Sequence, residues 1–378
     1  MQSIKRDIKE LILNKIVQGK VIVLLGARRV GKTFLLKQIL EDIGEDHLFV
    51  NGENINVHIE LERRTVENYS KFLGSKRLLV IDEAQKIPEI GNILKLMIDE
   101  IEGLKIIVTG SSAFDVKNLT GEPLTGRKYS YTLFPFSENE FTQTENYIAR
   151  KEKTAQRLIY GNYPELLNIP DAGDKREYLN EVVSSYLLKD ILSFENIKNS
   201  SKVLNILRLL AFQIGKEVSY HELGNQLSMS KNTVEKYIDL LSKVFIIFKV
   251  EGFSRNLRKE ISKSPRWYFY DNGIRNTLAA NFNELSLRND TGQLWENYAI
   301  SERIKFQNAN RMTVNNYFWR TYDQQEIDWV EEREGKLFAY EFKWGKKTAK
   351  PPAAWKKTYK NSEFSVITPD NFHDWVVR

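Results

Sequence analysis

No cysteine occurs among the 378 residues, which excludes disulfide frameworks, thiolate zinc sites and cysteine nucleophiles and fits a reducing compartment. No apolar run approaches the roughly 18 residues of a membrane-spanning helix. Met1 leads into a charged amphipathic stretch, MQSIKRDIKELILNKI, with no apolar leader core. The expectation is a cytoplasmic protein with no membrane partner. Internal repeats and low-complexity tracts are absent too. What is there is ample for packed cores: 42% of the residues are hydrophobic and 12% aromatic, which rules out a disordered chain. A formal charge of +6 favours an anionic partner.

Two strings carry chemistry. GARRVGKT, Gly26 to Thr33, satisfies the P-loop pattern, in which glycines let the backbone fold tightly and point N–H groups at phosphate oxygens. Gly26, Ala27, Arg28, Arg29, Val30, Gly31, Lys32, Thr33 and Phe34 are the expected nucleotide-binding residues, with Lys32 reaching the outer phosphates and Thr33 the magnesium. Further on, LLVIDEAQ places Asp82 and Glu83 at the end of a buried apolar strand, Leu78 to Ile81. Asp82 is suited to hold magnesium through water and Glu83 to orient the attacking water. The pair, in this order, calls for ATP and Mg2+.

The chain divides by pattern into four regions. Residues 1–135 alternate apolar strands (Val21 to Leu25, His47 to Asn51, Leu78 to Ile81, Lys105 to Thr109) with helical stretches, the mark of a parallel α/β sheet. Residues 136–195 read as a helical lid on the nucleotide, with the turn string YGNYPELL. Residues 196–280 give three helices (Lys202 to Ile214, Tyr220 to Leu227, Lys231 to Val244) and two strands (Phe245 to Val250, Trp267 to Tyr270), a winged helix-turn-helix layout. Its third helix carries Ser230, Lys231, Asn232 and Thr233 at the groove-facing end. The intervening RNLRKEISKSPR is strongly basic, and Lys343 to Lys360 holds seven lysines and no acid. Both strings suit phosphate backbones, or serve as solubilising charge.

Residues 281–378 hold a second constellation: Glu296 on a helix, Asp328 on a strand, Glu341 and Lys343 on the next. A hairpin turn at Glu334 to Lys336 would set Asp328 beside Glu341, with Lys343 on the face of Glu341. Such carboxylates suit a hard divalent cation, with the lysine beside an activated water. The order helix, three strands, helix, strand resembles the PD-(D/E)xK nuclease fold, a restriction-endonuclease-like α/β domain.

Nearly the whole chain resembles the bacterial and archaeal AAA-type ATPases with a C-terminal DUF4143 region. The resemblance rests on GARRVGKT, IDEAQKIP, VTGSSAF, LTGRKYSYTLFPFSENEF, YGNYPELL, the helix-turn-helix string and the closing EID and EFK pair. It implies an AAA+ core, a γ-phosphate sensor among Thr109, Ser111 and Ser112, and an arginine, Arg127, reaching a neighbouring subunit's nucleotide. A shared site implies self-association, as a ring such as a hexamer or at least a dimer. Three functions remain in view. One is an ATPase that binds and remodels duplex or branched DNA, cutting it if the acid site holds metal. The second is a nucleotide-regulated protein-interaction switch, and the third, with least support, a metabolic kinase.

Overall fold

The computed structural model describes residues 4–111, 124–187, 200–254, 264–345 and 348–378. Two compact units contain them. The first is Lys5–Phe134 with Lys243–Phe245; the second is Pro135–Ser242 with Ile246–Arg378 and the amino terminus up to Ile4.

The first unit is built on five parallel strands: β1 (Val21–Leu25), β2 (His47–Asn51), β3 (Leu78–Asp82), β4 (Lys105–Gly110) and β5 (Lys128–Thr132), in the order β2-β3-β4-β1-β5. β1 and β3 are apolar on both faces and wholly buried, as parallel strands covered by helices must be. Four of the strands coincide with the expected ones to within a residue. β5 was not among them: KYSYT is a polar, partly exposed edge strand without an apolar run. After β1 the chain turns through the P-loop into the helix Lys32–Ile43, which buries Leu35, Leu36, Ile39 and Leu40 and ends at a left-handed Gly44. Strand order reverses beside β1, so the crevice at the carboxyl ends of β1 and β4 is where a ligand fits this topology.

The second unit holds a six-stranded sheet, β6 (Ile247–Gly252), β7 (Arg266–Phe269), β8 (Asn315–Arg320), β9 (Glu326–Arg333), β10 (Lys336–Phe342) and β11 (Glu363–Ile367), in the order β11-β10-β9-β8-β6-β7. The last hundred residues follow the expected order, with the helix Thr291–Ala309 before β8 to β10 and the helix Ala353–Thr358 before β11. Glu334 and Gly335 both take positive φ, the two-residue turn that matches strand twist.

β6, expected in a separate domain ending at residue 280, pairs with β8 (Glu251 with Tyr317, Gly252 with Phe318), so no sheet edge separates the two regions. The described helices between residues 136 and 187 belong to the second unit. There Asn162, in YGNYPELL, donates its N–H to Asp271 (2.7 Å) and its amide to Phe136 O, Tyr298 Oη and Glu302 Oε1. The motif is a structural staple because Asp271 also accepts from the Gly273 and Ile274 N–H groups, capping the helix Asn272–Leu278. Among the described residues no helix is long and apolar enough to cross a membrane.

Candidate nucleotide site and acidic cluster

The P-loop has the conformation its glycines allow. Gly26 lies at φ 152° and Gly31 at φ 96°, and a Cβ on Gly26 would stand 2.2 Å from Leu133 O, so only glycine fits there. Lys32 is buried, its ammonium donating to Gly26 O (2.9 Å) and Ala27 O (3.0 Å), poised across the mouth of the loop. Arg29 and Phe34 are exposed, Arg28 half-buried.

Opposite the loop, β3 delivers its acids into a fixed array. Thr33 Oγ1 donates to Asp82 Oδ2 (2.7 Å), Thr109 Oγ1 donates to Asp82 Oδ1 (2.5 Å), and the Glu83 N–H donates to Thr109 Oγ1 (2.9 Å). Thr33 and Asp82, adjacent and both oxygen-bearing, fit a magnesium ion that shares a phosphate. Glu83 sits at φ 53°, and Gln85 Nε2 donates both to Glu83 Oε2 (2.6 Å) and to Ser111 Oγ (3.1 Å). Of the three expected sensor residues, Thr109 is fully engaged with the acids, Ser111 closes the Gln85 chain at the end of β4, and Ser112 lies outside the described residues. Gly52 and Gln85 escaped the sequence reading. A Cβ on Gly52 would be 2.3 Å from Glu83 O, so this glycine lets β2 approach the strained acid.

Arg127 precedes β5 at the opposite end of the sheet. Its carbonyl accepts from the Val21 N–H (2.8 Å), while the P-loop leaves β1 after Leu25, about 17 Å away at the rise of a strand. Its guanidinium pairs with Asp99 (2.7 Å), partly exposed.

The acidic cluster assembles as the strand period demands. Tyr340 pairs with Trp329 across β9 and β10, so Asp328 and Glu341 are neighbours, and Lys343 Nζ donates to Glu341 Oε1 (2.6 Å). Each expected ligand already has an internal partner: Tyr268 Oη donates to Glu296 Oε1 (2.7 Å) and the Phe342 N–H to Asp328 Oδ2 (2.9 Å). Among the described residues no three His, Cys, Asp or Glu side chains gather as ligands for an ion. Glu296, Asp328 and Glu341 are thus carboxylates held by internal hydrogen bonds, with Asp328 close enough to both for their charges to act on one another. A buried cation stands near them: Arg266, whose guanidinium lies 4.5 Å over the Phe318 ring and donates to Glu326 (2.9 Å).

Burial, reinforced by the Asp328 charge, pushes Glu296 up to about 8 against the opposing Arg266 charge. Burial and the Glu341 charge push Asp328 up to about 7. A carboxyl whose folded pKa is raised stabilises the fold at low pH and loses that contribution as pH rises through the folded value. Thermal melts in EDTA should show Glu296→Gln close to the parent at pH 5 and several degrees more stable at pH 8. A constant difference across that range would rule out a buried, proton-holding Glu296.

In the second unit the helices Tyr220–Leu227 and Lys231–Lys243 are joined by a three-residue turn. Ser219 caps the first (Glu222 N–H to Oγ, 3.3 Å) and Ser230 the second (Thr233 N–H to Oγ, 3.1 Å). Val234, Tyr237, Leu240 and Leu241 face inward as expected, and Ile238 joins them. Ser230, Lys231, Asn232 and Lys236 are exposed and Thr233 half-exposed. Most of the basic string from Arg255, and two lysines of the later basic run, lie outside the described residues.

Family models match along the chain: an AAA domain over residues 18–142, a domain of unknown function, DUF8612, over 151–291, and another, DUF4143, over 291–371. The uncharacterized protein Rv2008c of Mycobacterium tuberculosis is 22% identical over 343 residues, covering 90% of this chain and 74% of that protein. MJ1544 of Methanocaldococcus jannaschii, also uncharacterized, is 25% identical over 347 residues, covering 86% and 74%. The RuvB Holliday junction branch migration motor of Thermotoga maritima overlays with a TM-score of 0.31 at 16% identity, over 65% of this chain and 90% of that one, too loosely to transfer any property. The P-loop and acid array thus lie in a segment that matches an AAA domain, and the chain closes in a segment that matches DUF4143.

Proposed function

We propose that the chain hydrolyses ATP with Mg2+ in a self-associated form and uses the resulting change to bind, move or release duplex or branched DNA. The observation that carries the chemistry is the array Thr33–Asp82–Thr109–Glu83, which joins a phosphate loop to an acid held for water. Bound magnesium supplies charge neutralisation at the outer phosphates. Lys32 leaves its loop carbonyls for those phosphates, and Glu83 aligns a water whose oxygen attacks the γ-phosphorus as the bond to the β–γ bridging oxygen breaks, giving ADP and phosphate. Arg127, too far from its own P-loop, serves a neighbour's nucleotide in this reading.

The DNA assignment rests on the exposed Lys231, Asn232 and Lys236 at the start of a second helix after a short turn, with phosphate contacts setting affinity and Asn232 touching base edges. One observation favours the protein-interaction switch instead: Glu235 and Asp239 are exposed on the same helix and dilute its positive face. ATP turnover measured at low and high salt, with and without linear duplex, single-stranded and four-way-junction DNA, separates them. The DNA reading expects stimulation by one form and loss of binding with rising salt, and cleavage in magnesium or manganese that Asp328→Ala abolishes would add a nuclease to it. Turnover and binding indifferent to every DNA would transfer the assignment to the switch.

A further inference from the structure

The nucleotide site has a member that lies outside every recognised motif. Arg6 precedes Val30 by 24 residues and lies outside the matched AAA segment, which begins at residue 18. Its side chain is 4% exposed. Nη1 donates to Val30 O at 2.7 Å and Nη2 to Phe134 O at 2.5 Å, so one planar fork holds two carbonyls from distant parts of the unit. Gly31 adjoins it, since a Cβ there would stand 3.6 Å from Nη1.

Each carbonyl matters for a different reason. A trans peptide is planar, with C=O and the following N–H pointing opposite ways. Holding Val30 O toward Arg6 therefore turns the Gly31 N–H away from it, and this is one of the P-loop groups that must face phosphate. Phe134 is the last residue of the first unit before the chain crosses into the second at Pro135. Its neighbour Leu133 donates its N–H to Leu25 O (2.7 Å), and the Leu133 carbonyl lies against Gly26. The P-loop thus bears on the crossing from both ends, through Gly26 onto Leu133 and through Arg6 onto Phe134.

We propose that Arg6 is a positioning residue that aims the Gly31 N–H at phosphate and ties phosphate occupancy to the chain at Leu133–Phe134. The inference rests on the ATP reading above. It requires that loss of the fork weaken nucleotide binding and also disconnect the segment around Phe134 from the nucleotide state.

The test uses the full chain as parent, Arg6→Lys, Arg6→Gln and the P-loop control Lys32→Ala. Affinity for Mg-ATPγS is titrated by displacement of a fluorescent ATP analogue, and hydrogen–deuterium exchange is followed over residues 130–137 with and without Mg-ATPγS. Arg6→Gln is expected to bind about tenfold or more weakly, the scale of a hydrogen bond from a charged donor. Arg6→Lys, which keeps the charge and reaches one carbonyl, should fall between. Nucleotide-induced protection of residues 130–137, present in the parent, should vanish in Arg6→Gln even at saturating Mg-ATPγS, a readout that mere stabilisation of the fold would not move. Parent-like affinity and protection in Arg6→Gln overturn the inference. Should Arg6→Gln fail to fold, parent-like values for Arg6→Lys in both readouts overturn it. A parent that binds no better than Lys32→Ala would strike down the ATP reading itself, and this inference with it.

Discussion

Glu83→Gln should bind ATP with near-parent affinity and hydrolyse it about 10²- to 10⁴-fold more slowly, the usual share of a positioned proton acceptor. The substitution is well tolerated by its surroundings. Glu83 takes φ 53°, a strain that Gln shares, and the buried Gln85 Oε1 has no hydrogen-bond partner among the described residues, so Gln85 can turn its amide and accept from the new side chain. Phosphate binding stays with Lys32 and the loop, and the Thr33–Asp82–Thr109 contacts are untouched. Rapid quench of protein isolated after incubation should find ATP in the variant and ADP in the parent. Parent-rate hydrolysis would remove Glu83 from the role of orienting water and leave the Gln85–Ser111 chain as the place to look.

For Arg127→Ala a larger effect is expected, about 10³- to 10⁵-fold in turnover, the range of an arginine that reaches a neighbour's transferring phosphoryl group. The competing explanation is local, since Arg127 pairs with Asp99 at 2.7 Å. That pair is partly exposed and is worth only about 0 to 1 kcal/mol, so its loss cannot account for a change of such size. Asp99→Asn removes the pair and keeps the arginine, and should hydrolyse ATP at nearly the parent rate. Mixing supplies the decisive measurement. Subunits carrying Lys32→Ala have a dead P-loop but an intact Arg127, and adding them to Arg127→Ala subunits should restore turnover as mixed neighbours form. A flat response across all ratios, or full turnover in Arg127→Ala at every protein concentration, would mean that each subunit completes its own site.

The nucleotide site was legible because its chemistry is local in sequence. A phosphate loop needs glycines at fixed spacing, and an acid pair needs a buried strand to end beside it, so Gly26, Lys32, Asp82 and Glu83 announce themselves in two short strings. Arg6, Gly52 and Gln85 do not, because each acts through a contact made only after folding: a guanidinium on a distant carbonyl, a missing Cβ beside Glu83, an amide bridging to Ser111. β5 was missed because its tyrosines and lysine sit on a partly exposed edge. The acid constellation was legible in register but not in its internal partners. Alternation placed Glu341 beside Asp328, yet nothing in the spacing disclosed that Tyr268, Phe342 and Arg266 would take up the space around the carboxylates. The pairing of β6 with β8 was hidden for a related reason, since a sheet that continues between them leaves no trace in the intervening sequence.

That continuity governs how the chain can be taken apart. The two matched segments of unknown function meet at residue 291, which looks like an invitation to express or exchange them separately. Cutting there would strip β6 from β8 and lay open two strand edges with unpaired backbone groups. It would also split one apolar cluster, leaving Phe248, Val250 and Tyr268 on one fragment and Trp295, Phe318 and Trp329 on the other. Fragments made at that point should be sticky and prone to recombine, like the halves of a split reporter. The pair is inherited, transplanted or lost as a single piece.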